Sequence, residues 1–89
     1  MAILFRPYHD PQEVKPGGNK TQFEWSEVEG LLDCDVIEHF KLDEERELLW
    51  DERAKYFWIK GVNMSISRLI DRVVLGNVLM VFTKDKEIR

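Results

Sequence analysis

The stretch VVLGNVLMVF, residues 73–82, carries the strongest strand pattern in the chain, because β-branched and large apolar side chains dominate it. Gly76 and Asn77 interrupt the pattern, and such a pair inside a strand predicts a bulge. At a sheet edge, this strand would offer unpaired amides and carbonyls to another copy of the chain. The unbroken apolar run at residues 78–82 instead favours a central strand that is buried on both faces.

Three further strands are predicted upstream of this stretch. Residues 2–5 are short, apolar and partly β-branched, and Pro7 stops the pattern. Residues 35–42 alternate, although Glu38 falls among apolar neighbours on its face. Residues 47–51 follow a polar turn and predict the second arm of a hairpin, in which Leu48 and Trp50 share a face.

A long loop and a charged tail are predicted outside these strands. Residues 7–21 contain three prolines and a glycine pair, which indicates an irregular loop. Inside it, residues 12–15 fit a short edge strand because prolines bound them on both sides. The charged residues 84–89 predict a frayed tail.

Two short helices are predicted between the strands. Apolar residues at helical spacing indicate a helix over residues 22–32, and Thr21 with Glu24 has the spacing of a capping box. A second helix is expected over residues 64–72, with Asn63 as its N-cap. The aromatic run at residues 56–59 fits either a short strand or a buried bend.

The predicted order is strand, helix, strand, strand, helix, strand, within one α+β domain spanning residues 1–89. This is the order of a ferredoxin-like, split βαβ unit. The alternative is a small, curved mixed sheet with two short helices and an extra edge strand at residues 12–15. Both helices are short for covering a ferredoxin-like sheet, so both topologies stay open.

Composition and charge restrict the class of protein. The chain has 89 residues, 44% of them hydrophobic, and a net charge of −4. A mildly acidic chain is a poor binder of nucleic acid or of anionic membranes. Cys34 is the single cysteine, so no internal disulfide forms, and a reduced, cytoplasmic protein is expected. No apolar run approaches the roughly 20 residues of a membrane helix or resembles a secretion signal.

The sequence offers no convincing catalytic or metal-binding group. Cys34 and His39 are five positions apart and would face opposite sides of a strand, which disfavours both a nucleophile–base pair and shared metal ligation. The glycine pair before the first helix lacks the spacing of a phosphate-binding loop. We therefore expect a protein that is not an enzyme and that carries no cofactor or metal.

Four polar residues at the second helix suggest a ligand site. Asn63, Ser65, Ser67 and Arg68 could hold an anionic group through amides, hydroxyls and a guanidinium. This alternative describes a small-molecule or nucleotide binder, such as a sponge for a signalling molecule. The simpler interpretation is that Asn63 only caps the helix.

Large aromatic side chains favour a protein-interaction module as the function. Trp25, Trp50, Tyr56 and Trp58 are many rings for so small a domain, and exposed tryptophan and tyrosine are enriched in binding hot spots. We expect a protein partner or a homodimer, with Trp50 and Trp58 as anchors if the closing strand is central. Two acidic runs, at residues 24–38 and 43–52, leave a nucleic-acid mimic as a third hypothesis.

Four segments of the second half resemble a family of short proteins of unknown function from gut bacteria, phages and mobile elements. These segments are residues 33–42, 47–50, 60–63 and 75–81. Asn63 matches the asparagine of the family's P-x-N element, and Gly76 with Asn77 matches its closing strand. Val62 stands where the family has proline. The resemblance implies a small α+β accessory protein and carries over no functional residue.

Overall fold

The computed structural model describes residues 2–18, 22–34, 36–56 and 60–83. Within them, an α+β single domain is built from one open five-stranded sheet with an α-helix against each face, which confirms the predicted fold class. The elements in chain order are β1 (Ala2–Phe5), β2 (Gln12–Val14), α1 (Trp25–Leu32), β3 (Ile37–Lys41), β4 (Arg46–Asp51), a 3-10 turn (Ala54–Tyr56), α2 (Met64–Ile70) and β5 (Val78–Phe82).

The last strand in the sequence is the central strand of the sheet. The spatial order is β2-β1-β5-β4-β3, and every neighbouring pair is antiparallel. On one side of β5, Val81 lies opposite Ala2 of β1, and on the other side Val78 lies opposite Trp50 of β4. Because β5 is apolar on both faces, the central position removes both from water, as the apolar run favoured.

The sheet order corrects the predicted topology. A split βαβ unit requires the two strands joined across each helix to run parallel, whereas β4 and β5, which α2 joins, are antiparallel neighbours. The ferredoxin-like alternative is therefore wrong. The other alternative is confirmed in its extra edge strand, which spans Gln12–Val14, but the sheet is antiparallel throughout and not mixed.

The predicted strand over residues 73–82 is shorter than expected. Gly76 has a φ of 81°, which ends the extended conformation before Val78, and its N–H donates to Gly61 O at 2.9 Å. Upstream of the turn, Leu75 keeps one isolated bridge to Val62. The interruption predicted at Gly76 and Asn77 is thus a turn that separates β5 from a loop.

The alternation of side chains along the strands divides the core between the two faces. Leu49 and Leu79 point toward α1, where they join Val28 and Leu32. The alternate residues point toward α2, and the buried members of that cluster are Leu48, Trp50, Ile66, Val74, Val78 and Met80. The sheet is thus the middle layer of three.

Helix α1 begins at Trp25, three residues later than predicted. Its capping box joins Glu24 to Glu27, whose carboxylate accepts the Glu24 N–H at 3.0 Å, one turn later than expected from Thr21. Thr21 lies outside the described residues. At the other end, the Leu31 carbonyl accepts from Asn77 Nδ2 at 2.8 Å, which ties the last turn of the helix to the sheet.

Several predictions concern segments of which the structure describes only some residues. The 3-10 turn ends at Tyr56, while the rest of the aromatic run, residues 57–59, and the predicted tail at residues 84–89 lie outside the described residues. Helix α2 ends at Ile70, followed by Asp71 in the left-handed conformation. None of the helices in the described part of the chain is long and apolar enough to cross a membrane.

Candidate interaction surface

Asn63 is a buried junction between three parts of the fold. Its side-chain Nδ2 donates to Phe5 O at 2.8 Å and to Gly76 O at 2.9 Å, while Oδ1 accepts from Ile66 N at 3.4 Å. The residue is 1% exposed. The cap predicted from sequence is confirmed, and the same side chain also joins the end of β1 to the turn before β5.

The other three residues of the suggested ligand group are divided between interior bonds and solvent. Ser67 Oγ accepts the Val74 N–H at 2.9 Å, which fixes the loop after α2 against the helix. Ser65 and Arg68 are exposed. The structure therefore uses Asn63 and Ser67 to hold the fold. Ligand binding by these residues stays a prediction.

Trp50 is a core residue and offers no surface anchor in the monomer. It is 5% exposed, its ring lies 5.5 Å from that of Phe40, and its Nε1 donates to Glu38 Oε1 at 2.7 Å. The Arg72 guanidinium covers the indole at 5.6 Å from the ring centroid. The indole N–H also explains how Glu38 is accommodated on the apolar face of β3.

The other predicted interaction residues differ in exposure. Trp25 is 41% exposed at the start of α1, and Tyr56 is 72% exposed. Trp58 lies outside the described residues. Of the four aromatics, the described part of the chain thus presents Trp25 and Tyr56 to solvent.

Two cavities in the described part of the chain are small or open. A partly open cavity beside Trp50 and Arg72 has a volume of about 30 Å³, which is room for about one or two water molecules. A shallow depression between Gly30 and Cys34 opens to solvent. Among the described residues, no group of three or more His, Cys, Asp or Glu is arranged to hold a metal ion.

The outer edge of β3 carries backbone groups that no strand pairs in the described structure. Leu42 N donates to Arg46 O, and Val36 O accepts from Glu52 N, each at 3.0 Å. The backbone N–H and C=O groups of the even-numbered residues of this segment therefore point toward β4. Backbone groups alternate in direction along a strand, which turns the N–H and C=O of Ile37, His39 and Lys41 outward. Within the described ranges, β3 pairs with β4 alone.

Side chains beside this edge form a small polar and aromatic group on the α1 face. The rings of His39 and Trp25 meet edge to face with their centroids 5.6 Å apart. His39 Nδ1 lies at hydrogen-bond distance from Glu47 Oε1 on the neighbouring strand. Lys41 is exposed at the end of the strand, 3.6 Å from Glu44. The open edge therefore lies next to a half-exposed tryptophan, Trp25, whose ring contacts His39 of β3.

The opposite edge of the sheet is protected against strand pairing. Strand β2 has three residues and lies between Pro11 and Pro16, which lack a backbone N–H. Arg6 Nη2 donates to the Gln12 side chain at 3.2 Å, which ties the start of β2 to the end of β1. Of the two edges, β3 is the longer and the one without proline.

Sequence reasoning placed His39 and Lys41 on one face of a strand and attached no function to them. The signal was present in the alternation of residues 35–42, but an open edge becomes visible only when the strand order is known. Comparison with known proteins gives no match: the chain matches no family model, no curated protein and no solved structure.

Proposed function

We propose that this chain is a non-enzymatic protein-interaction module that binds an extended segment of a partner along the outer edge of β3. The observation that carries the proposal is the outward direction of the backbone groups of Ile37, His39 and Lys41. In strand addition, main-chain hydrogen bonds supply affinity, and neighbouring side chains supply specificity.

The surroundings of the edge support this mode of binding. Trp25 lies against His39 with part of its ring exposed, so an added strand would cover apolar surface as well as form hydrogen bonds. Phe40 and Leu42 are half-buried on the other face of the sheet. An incoming strand would meet apolar side chains on that face and the Trp25–His39 pair on the α1 face.

The cellular setting is part of the proposal and rests on the sequence. A cytoplasmic protein fits the single cysteine, and an accessory role in a phage or mobile element fits the family resemblance of the second half. The genes beside the coding sequence test this setting, since a phage or defence cassette supports it and a metabolic operon contradicts it.

Selection of a random peptide library on the immobilised protein tests strand addition directly. Lys41→Pro removes an outward N–H that β4 does not use, so the sheet keeps its own ladder while the edge loses a donor. Lys41→Thr removes the same charge and retains the N–H, which makes it the matched control.

We expect extended, β-prone peptides that bind the unmodified protein and Lys41→Thr, with binding to Lys41→Pro weakened about tenfold or more. Circular dichroism establishes that both variants are folded. Peptides that bind all three proteins equally contradict the proposal, as does the absence of any enriched peptide when the chain sediments as a monomer.

A further inference from the structure

The open edge of β3 is complementary to itself. Two copies of an edge strand can pair antiparallel around a two-fold axis, and hydrogen bonds form where outward-facing residues oppose each other. With the axis at His39, Ile37 of each copy opposes Lys41 of the other, and His39 opposes His39. All three outward-facing residues are then paired, and each opposed pair exchanges two hydrogen bonds.

Other positions of the axis use the edge less well. An axis at Glu38 would place that carboxylate opposite its own copy, and an axis at Lys41 would oppose two ammonium groups, both of which are unfavourable in cross-strand pairs. An axis at Phe40 leaves Ile37 outside the paired part of the strand. The axis at His39 avoids these contacts, because it places Glu38 opposite Phe40 of the second copy.

The side chains beside the edge also suit a two-fold arrangement. Opposed residues in a hydrogen-bonded pair have Cα atoms about 5.5 Å apart, so the two His39 rings would be neighbours on the α1 face. Each His39 already contacts its own Trp25. The half-exposed tryptophans of both copies would therefore flank the axis and lose solvent exposure together.

We propose that the partner of the β3 edge is a second copy of this chain, paired antiparallel with His39 at the two-fold axis. The two five-stranded sheets become one continuous sheet, and the protected β2 edges close both of its ends. This inference rests on strand addition at β3, the function proposed above, and specifies the occupant and the register.

Single cysteines report the register. In a Cys34→Ser background, His39→Cys places the two thiols across the axis, within the Cα separation that a disulfide spans. Lys41→Cys is the matched control, since four residues along the strand separate its two copies by about 13 Å. Under a mild oxidant we expect a covalent dimer from His39→Cys and a monomer from Lys41→Cys.

Sedimentation of the unmodified chain and of the Lys41 variants reports the association itself. At about 100 μM we expect a dimer for the unmodified chain and for Lys41→Thr. Lys41→Pro should dissociate about tenfold or more readily, because each copy loses one donor at the joint. Circular dichroism again confirms that each variant is folded.

The outcomes of these experiments distinguish the dimer from strand addition at β3, the proposed function on which it rests. A monomeric unmodified chain, or cross-linking through Lys41→Cys in place of His39→Cys, overturns the second copy or its register. If the chain is monomeric and still selects peptides that Lys41→Pro fails to bind, strand addition stands and the partner is another protein. If neither association depends on the Lys41 N–H, both proposals are wrong.

Discussion

The two faces of the sheet are covered by different means. On the α1 face, an eight-residue helix with a capping box supplies Val28 and Leu32 to an apolar cluster, which the fully buried Phe23 completes. On the α2 face, the helix has seven residues, and polar groups of Asn63 and Ser67 hold it to the strands and loops around it.

The difference shows how a short helix can cover a sheet. A helix of two turns buries little apolar area, so its position depends more on directional bonds than on packing alone. Asn63 supplies such bonds to two carbonyls at once, and the Arg72 guanidinium lies over the rings of Phe40 and Trp50. The α1 face should therefore respond most to lost volume, and the α2 face to lost hydrogen bonds.

The largest expected effect is the loss of volume on the α1 face. Phe23→Ala should lower the free energy of unfolding by about 4 kcal/mol, because it leaves a cavity in the apolar cluster. The measurement is urea denaturation followed by circular dichroism. Met64→Ala, at an exposed apolar position on α2, is the control and should change stability little. Equal effects of the two substitutions would show that the α1 face is not a packed core.

On the α2 face, Asn63→Asp should lower the free energy of unfolding by about 2–3 kcal/mol. Aspartate is a good N-cap, but its carboxylate oxygen would face the Phe5 and Gly76 carbonyls in place of the donor they now share. Ser65→Ala, at an exposed position of the same helix, should be nearly neutral. An unchanged midpoint for Asn63→Asp would mean that Asn63 acts as a cap alone.

A smaller effect is expected from the bond between Trp50 and Glu38. A double-mutant cycle with Trp50→Phe and Glu38→Leu should give a coupling energy of about 1 kcal/mol, since each single change removes one partner of the same hydrogen bond. Thermal or urea unfolding of the four proteins provides the cycle. Additive effects would show that packing of the indole, rather than its N–H, fixes Trp50.

The smallest effect on stability is expected from the turn at residues 43–45 between β3 and β4, which lies at the end of the sheet and contributes to neither helix-covered face. The Arg46 side chain, with the Glu45 N–H, holds the pKa of Asp43 below its ordinary value of 3.8. A carboxyl with a lowered folded pKa stabilises above its unfolded pKa, and this contribution disappears as the pH falls through the folded pKa.

We therefore expect Asp43→Asn to lower the melting temperature modestly at neutral pH, with the difference from the unmodified chain vanishing in acid well below pH 3.8. Melting curves of both proteins across this range provide the test. A difference that persists in strong acid would show that the carboxylate charge is irrelevant to the turn.

Local features of the fold were predictable because their causes are close in sequence. The apolar run before Pro7 gives β1, and Asn63 before an apolar helical pattern gives the start of α2. The alternation around Leu48 and Trp50 correctly placed both on one face of β4. In each case a few neighbouring residues are enough to determine the local structure.

Features that depend on distant partners could not be predicted in the same way. Asn63 gives no sequence signal of its bond to Phe5, which lies 58 positions away. The burial of Trp50 depends on Arg72 and on the strands beside it, and the open edge at β3 depends on the order of all five strands. The sequence therefore indicated the secondary structure well, but it did not indicate the strand order that leaves the β3 edge open.

The central position of β5 also has a consequence for how the protein is made. The strands synthesised before it form two separate hairpins, β1 with β2 and β3 with β4, and neither pairs with the other in the finished sheet. A ribosome-bound chain ending at Asp71 would hold all the other strands and still lack the one that joins them. The sheet is thus completed only when its last strand emerges, and until then the edges of β1 and β4 that pair with β5 lack their partner strand.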